Sequence, residues 1–183
     1  ERILRAKQPK AFLLENVRNL KNHDQGRTLK VILESLHALG YFVHYKVLNG
    51  LDFGVPQKRE RIVIVGFKEN FPFQFPTKGL GEAKRLEDIL ENEKDIDKKH
   101  FLSEKIKQKF LKNLKKKPFK PSIWHENKSG NIGVHPFSCA LRAGGSYSYL
   151  TVNGERRPTP REMLRLQGFP DDYKIVVSDC QAR

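Results

Sequence analysis

Three short runs in this chain concentrate side chains that can do chemistry or grip an anion. Glu15-Asn16-Val17 follows the apolar residues Phe12, Leu13 and Leu14, which puts a carboxylate at the carboxyl end of a predicted strand, the edge where open α/β sheets hold their ligands. A carboxylate there can give or take a proton; the plainer reading is a surface residue or a helix cap. Gln57-Lys58-Arg59-Glu60-Arg61 stands directly before another apolar run. Its arginines are permanently charged, and each presents a rigid fork of donors to a carbonyl, carboxylate or phosphate; read plainly, the cluster is a charged strand entrance. The third run, Arg156-Arg157-Pro158-Thr159-Pro160-Arg161-Glu162-Met163-Leu164-Arg165-Leu166-Gln167-Gly168-Phe169-Pro170-Asp171, is too dense in arginine, proline and fixed polar residues for ordinary core packing.

Periodicity supplies the elements that hold these residues. Residues 9–17 read as a short buried strand ending in polar residues. Leu29, Ile32, Leu33, Leu36 and Leu39 then recur at helical spacing, with Asp24 as N-terminal cap and Gly40 as the stop. Residues 42–48 read as a second strand. Strand, helix and strand in that order predict a crossover unit, with parallel strands in an α/β sheet. Residues 61–67 are apolar on both faces and predict an interior third strand. The 49–58 loop is long for a hairpin and is expected to carry residues with a task at the sheet edge.

Beyond residue 71 the texture changes. Phe71-Pro72-Phe73-Gln74-Phe75-Pro76 reads as a linker, and a domain boundary is placed near residue 75. A helix is predicted over 103–116, stopped before Pro118, with Leu102, Ile106, Phe110 and Leu114 on one face and lysines on the others. Segments 128–131 and 142–149 are rich in Gly, Ser and Tyr and have weak periodicity. A last helix fits residues 160–166, where Pro160 is tolerated in the first turn.

A length of 183 residues and a hydrophobic content of 38% suffice for one or two small domains with a real core. No apolar run approaches the roughly 20 residues that a bilayer crossing needs. The charged start Glu1-Arg2-Ile3-Leu4-Arg5 has no signal-like apolar stretch behind it, so a cytoplasmic protein without a membrane partner is expected. Cys139 and Cys180 form neither a CxxC nor a disulfide-rich pattern, and the six histidines are scattered, so no metal is predicted. Charge is more informative: 35 Lys plus Arg against 21 Asp plus Glu give +14. Residues 98–128 hold eleven lysines and two acids, Glu104 and Glu126, a local balance of +9. Such a stretch suits a polyanion, because each phosphate neutralised releases condensed counterions; a solvated lysine face accounts for the same residues.

The 156–171 run resembles the penultimate signature block of the cytosine-5 DNA methyltransferases. Glu15-Asn16-Val17 and Gln57-Lys58-Arg59-Glu60-Arg61 resemble two further blocks of that family, in the family's order. The resemblance implies that Glu15 protonates or hydrogen-bonds ring nitrogen 3 of the target cytosine, and that Arg59 and Arg61 hold the flipped base, Arg61 at the carbonyl of position 2. Glu15, Arg59 and Arg61 are therefore the expected catalytic residues. By the same resemblance Arg161, Glu162 and Gln167 are scaffolding, and Arg156 or Arg157 contacts the DNA backbone. Between the second and third blocks lies the family's target-recognition region. There Arg142 can bond guanine edges, and Ser146, Tyr147, Ser148 and Tyr149 offer adaptable hydrogen bonds. The expected DNA-binding set is Gln57, Arg142, Ser146, Tyr147, Arg156 and Arg157.

The resemblance implies a cysteine nucleophile in a proline-cysteine pair upstream of the Glu15 strand, and no cysteine precedes Glu15. Cys139 and Cys180 follow Ser138 and Asp179 and are read as non-catalytic. The glycine-bearing strand that binds S-adenosylmethionine and the closing glycine-asparagine block are not found either. The chain begins with Glu1 and reads as a piece of a longer protein or one half of a split enzyme, inactive alone. Its expected partners are duplex DNA and the missing N-terminal part or a companion chain. The predicted fold is α/β: the trailing part of a Rossmann-like methyltransferase sheet over 1–75, then a small mixed target-recognition domain over 76–183. The predicted activity of the whole is methyl transfer from S-adenosylmethionine to carbon 5 of a flipped cytosine in a specific duplex sequence. The alternative is a non-catalytic, sequence-specific DNA-binding module or regulatory subunit. A generic basic protein that binds RNA or DNA by charge leaves the three ordered blocks unexplained.

Overall fold

In the computed structural model, which describes residues 1–70, 72–79, 81–115, 117–142, 149–179 and 181, the helical spacing of Leu29, Ile32, Leu33 and Leu36 does form a helix. After a short α1 (Arg2–Lys7) and the strand β1 (Ala11–Val17), α2 (Arg27–Ala38) leads into β2 (Phe42–Asn49). Asp24 is not the cap expected of it. It sits at φ 51 with its carboxylate on Arg27, and Gly26, at φ 86, takes the N-cap position instead. Gly40 ends the helix as predicted: at φ 80 its N–H donates to the carbonyl of His37.

The 50–59 loop contains the two-residue β3 (Gln57–Lys58), and β4 (Glu60–Phe67) follows. β4 lies at the centre of a three-stranded sheet in the order β1-β4-β2, antiparallel to both neighbours. The two crossover strands therefore run parallel to each other, as expected, but β4 lies between them and antiparallel to both, a reversal that the expectation did not include. A long loop after β2 lets the chain return in the opposite sense and fill the gap. The interior position expected of residues 61–67 holds, with Ile62 and Ile64 buried. They form a core with Leu4, Phe12, Leu29, Leu36 and Tyr41.

One sheet position requires glycine. A Cβ on Gly66 would lie 2.3 Å from two carbons of the Phe12 ring, which crosses the strand there and meets Tyr41 edge-on at 5.0 Å. The predicted linker is not loose. The Phe73 ring lies 5.3 Å from Phe67, 5.4 Å from His44 and 5.0 Å from Phe75, so burial of aromatic area ties this segment to β2 and β4.

By its contacts the chain divides into one unit of Glu1–Asp52 with Glu60–Gly79 and another of Phe53–Arg59 with Leu80–Arg183. In the second unit, α3 (Leu86–Ile89) and α4 (Glu104–Lys112) precede β5 (Ile123–Glu126), β6 (Ile132–His135), β7 (Ser138–Cys139), β8 (Leu150–Val152) and α5 (Pro160–Leu166). β5 is central to an antiparallel sheet in the order β6-β5-β8, and β3 pairs with β7 in parallel. One core gathers Leu86, Ile89, Ile123, Leu150, Val152 and Leu166; the other gathers Leu102, Phe110, Trp124 and Ile132. α4 stops at Lys112, short of the predicted 116. Leu114 leaves the helix to bridge Ile132 in β6, a tertiary pairing that outweighs one more helical turn. α5 has the predicted bounds, with Pro160 in its first turn.

Candidate functional site

Register places Glu15 opposite Val63 and Arg61 opposite Val17. The two charged residues thus stand diagonally on one face of the β1–β4 ladder, within reach of long side chains. Arg61 Nε lies 2.7 Å from Glu15 Oε1, and its Nη1 donates to the carbonyl of Glu60 at 2.9 Å. The Arg61 side chain is 23% exposed and that of Glu15 48%. One carboxylate oxygen is oriented while the group remains open to a ligand. Beside Glu15, the Asn16 side-chain oxygen accepts from the N–H of Val17 at 2.8 Å and shapes the strand end. One step further, Arg18 Nη1 donates to both oxygens of Glu60, at 2.9 and 3.1 Å. Sequence reasoning did not single out Arg18 or Glu60, although Arg18 directly follows the first motif and Glu60 lies inside the second. Arg59 belongs to the second unit and is half-buried.

Two residues expected to contact DNA are buried instead. Gln57 is 1% exposed, in β3 against Ser138 of β7. Arg156 is 1% exposed, and its guanidinium makes a two-pronged ion pair with Glu162 at 2.7 and 2.8 Å. A guanidinium shut inside the unit cannot reach a phosphate, so Arg156 belongs with the scaffold. Glu162 also accepts from the N–H of Thr159 and the N–H of Glu91, both at 2.9 Å. Thr159 closes the reciprocal half of a capping box at α5 and donates its hydroxyl to Glu91. Arg165 adds a bond to the carbonyl of Ile89 and an ion pair with Asp171. The 156–171 run therefore fastens α5 to the α3 region, with Glu91 as a participant the sequence did not flag. Arg161 and Arg157 are half-buried, and Gln167 is exposed at the C-cap of α5.

The other end of β5 opens onto a groove of about 570 Å³ lined by His125, Glu126, Asn127, Lys128, Arg142 and Tyr149, among others. The Tyr149 ring meets His125 edge-on at 5.1 Å, with the Arg142 guanidinium carbon 5.5 Å from its centroid. Burial, reinforced by the charges of Arg142 and His135, holds the His125 imidazole below its usual range and favours the neutral ring. Arginine, carboxylate, amide, phenol and neutral imidazole together offer both donors and acceptors to a ligand edge. Ser146 and Tyr147 lie outside the described residues, as does Cys180. Of the lysines in 98–128, Lys99, Lys107, Lys109 and Lys120 pair with Asp179, Glu104, Glu126 and Glu155.

This mixed α/β chain shares its fold with solved methyltransferases. A putative DNA modification methyltransferase encoded within an E. coli prophage superposes with a TM-score of 0.66 at 16% identity, over 99% of this chain and 65% of its own. The Entamoeba histolytica methyltransferase EhMeth superposes at 0.63, also at 16% identity, over 95% of this chain and 56% of its own. The model of the C-5 cytosine-specific DNA methylases matches residues 1–183, and the chain belongs to that family. It is 60% identical over 181 residues to the type II methyltransferase M.NgoBI of Neisseria gonorrhoeae, and 56% identical over 183 residues to M.HaeII of Haemophilus aegyptius. Those matches cover 99% and 100% of this chain but 57% of either relative, so the chain spans less than three fifths of their length.

The family implies S-adenosylmethionine, whose ribose diol, adenine and sulfonium need acceptors beside an apolar slot. The first unit's cavity, about 630 Å³, lies among Ile3, Leu4, Leu14, Val31, Ile32 and Leu36, with Glu1, Arg2 and Ser35 as its polar residues. It is lined by α1, α2 and the Leu14 side of β1, not by the face that carries Glu15, and it has no glycine turn. That cavity, turned away from Glu15 and without a glycine turn, does not fit this group. Among the described residues, no helix is long and apolar enough to cross a membrane.

Proposed function

We propose that this chain supplies the base-handling and sequence-reading parts of a DNA (cytosine-5-)-methyltransferase, which methylates carbon 5 of a flipped cytosine in a specific duplex sequence. The observation that carries this reading is the Glu15–Arg61 pair at 2.7 Å on one face of the sheet. When a nucleophile adds to carbon 6 of cytosine, electron density moves onto the ring, and an acid at nitrogen 3 lowers that barrier. Glu15 is held by one oxygen, which leaves the other for the ring. Arg61 is tethered at Nε and Nη1 and has a further nitrogen to turn toward the carbonyl at position 2, while Arg59 braces the flipped nucleotide. A module that only binds DNA has no use for an acid on the cytosine ring, so the pair favours the enzyme over the binding module.

On this reading residues 1–75 are the trailing part of a Rossmann-like catalytic domain and residues 76–183 the target-recognition domain. Arg142 reads base edges at the groove that also holds His125 and Tyr149, and Ser146 and Tyr147 take part in the reading. Arg157 and the exposed lysines hold phosphates. The nucleophile and the methyl-donor site belong to the portion that the relatives have beyond this chain. The open side of β1 supports such a partner segment: among the described residues the strand pairs with β4 alone, and Leu13, Leu14 and Val17 are 66, 39 and 51% exposed. Natural proteins rarely leave an apolar edge strand uncovered.

The test is complementation. Supplied with labelled S-adenosylmethionine and duplex DNA, the chain alone should transfer no methyl group. Joined to the segments its relatives carry beyond it, it should. Turnover by the bare chain, or failure of the joined protein to methylate while still binding DNA, would contradict the proposal.

A further inference from the structure

Beside the two residues that meet the base on the reading above, a second ion pair stands at the same end of the sheet. Arg18, the residue after β1, reaches over the end of the ladder to Glu60, the first residue of β4, through one guanidinium nitrogen shared by both carboxylate oxygens at 2.9 and 3.1 Å. The position matters because β1 pairs with β4 only as far as Val17 opposite Arg61. Glu60 lies one residue past that point and is paired in the sheet with Asn49 of β2 alone. The Arg18–Glu60 contact therefore spans β1 and β4 one step beyond their last ladder pair.

Glu60 is also joined to the site directly. Its backbone carbonyl accepts from Arg61 Nη1 at 2.9 Å, and Arg61 Nε holds Glu15 at 2.7 Å. Arg18, Glu60, Arg61 and Glu15 thus form a continuous chain of contacts in which cations and anions alternate, running from the residue after β1 through β4 and back to β1. Movement of the Glu60 backbone would move the carbonyl that orients Arg61, and with it the guanidinium that orients Glu15. The side chains of Arg18 and Glu60 are 55 and 28% exposed. Ion pairs that open to water contribute little to stability, so this one is poorly explained as a structural staple.

We propose that Arg18 and Glu60 are positioning residues for methyl transfer, fixing the distance and angle at which Glu15 and Arg61 meet the cytosine ring. The inference rests on the function proposed above. Small misplacements of catalytic groups are costly, up to about 100-fold in rate for roughly 1 Å. Contact through a single nitrogen means that a lysine ammonium can replace Arg18.

The experiment uses the complete methyltransferase that contains this chain. Arg18→Ala and Glu60→Gln should each lower kcat roughly tenfold or more, with KM for DNA and the Tm nearly unchanged, the pattern of an interaction needed only in the transition state. Arg18→Lys should keep most of the rate, and the double variant Arg18→Ala with Glu60→Gln should be no slower than the slower single one. Unchanged kcat in Arg18→Ala would overturn the proposal. So would a salt-dependent rise in KM confined to Arg18→Ala, which marks a phosphate contact, or multiplication of the two single effects in the double variant. Glu15→Gln separates the two readings. If it is slow while Arg18→Ala is normal, only the positioning role falls; if it is fully active, the role of the pair in handling the base falls first.

Discussion

Glu162 is the carboxylate on which the second unit turns: buried, it accepts from Arg156 twice and from the backbone N–H groups of Thr159 and Glu91. Removing the arginine would strand a charge without water or a counterion. Arg156→Ala should therefore destabilise the protein by about 3–5 kcal/mol, the usual cost of breaking one side of a buried pair, measured as a fall in the denaturant midpoint. An Arg156→Ala protein as stable as its parent would refute the scaffold role. The contrast with Glu15 and Arg61 shows what a sequence reveals at this scale. Those two were singled out by their resemblance to two family blocks; the apolar runs beside them placed them only at strand ends, where a surface carboxylate and a charged strand entrance were the plainer readings. Arg156 was misread because an arginine beside proline has the same spelling whether it grips a phosphate or a carboxylate six residues on. Burial decided it, and burial depends on how α5 meets the α3 region.

At the scale of elements, local signals were most legible where one residue type has one structural use. α2 announced itself by leucine spacing and Gly40, and α5 by Pro160 in its first turn; the Thr159–Glu162 capping box became visible only in the structure. The reversal of β4 was not legible, since an apolar strand reads alike in either direction. Nor was the early end of α4, which depends on a bridge from Leu114 to distant Ile132. Gly66 gives the sheet a test: its missing Cβ leaves room for the Phe12 ring, so Gly66→Ala should cost about 1–3 kcal/mol through overpacking, seen as a lowered Tm. An unchanged Tm would mean that the ring is free to move aside.

The basic stretch invites a second element-scale test. Lys105, Lys112, Lys115 and Lys117 are exposed and make no ion pair with a carboxylate among the described residues, unlike Lys99, Lys107, Lys109 and Lys120. Replacing the first four by glutamine should weaken binding to all duplex sequences. It should also flatten the salt dependence, by on the order of 0.9 in the slope of log K against log salt for each phosphate that is no longer neutralised. A changed sequence preference with an unchanged slope would move these lysines out of the phosphate-binding set.

For the whole molecule, two units carry separate tasks on this account. The first holds the charged pair on the sheet, and the second displays the groove of His125, Arg142 and Tyr149. Their joint action is what makes a base modification sequence-specific: one surface selects the site, and the other handles the base taken from the stack. Glu15 is the residue at which that account can fail most cleanly, because its interaction with the ring grows as the ring gains charge. In the complete methyltransferase, the single-turnover rate of methyl transfer and the affinity for duplex DNA should be measured side by side for the parent and for Glu15→Gln. The account predicts a rate lowered by about 100-fold or more, within the usual range for a positioned acid, with DNA affinity nearly unchanged. A Glu15→Gln enzyme that methylates at the parental rate, or one whose loss is wholly a loss of DNA binding, would contradict it.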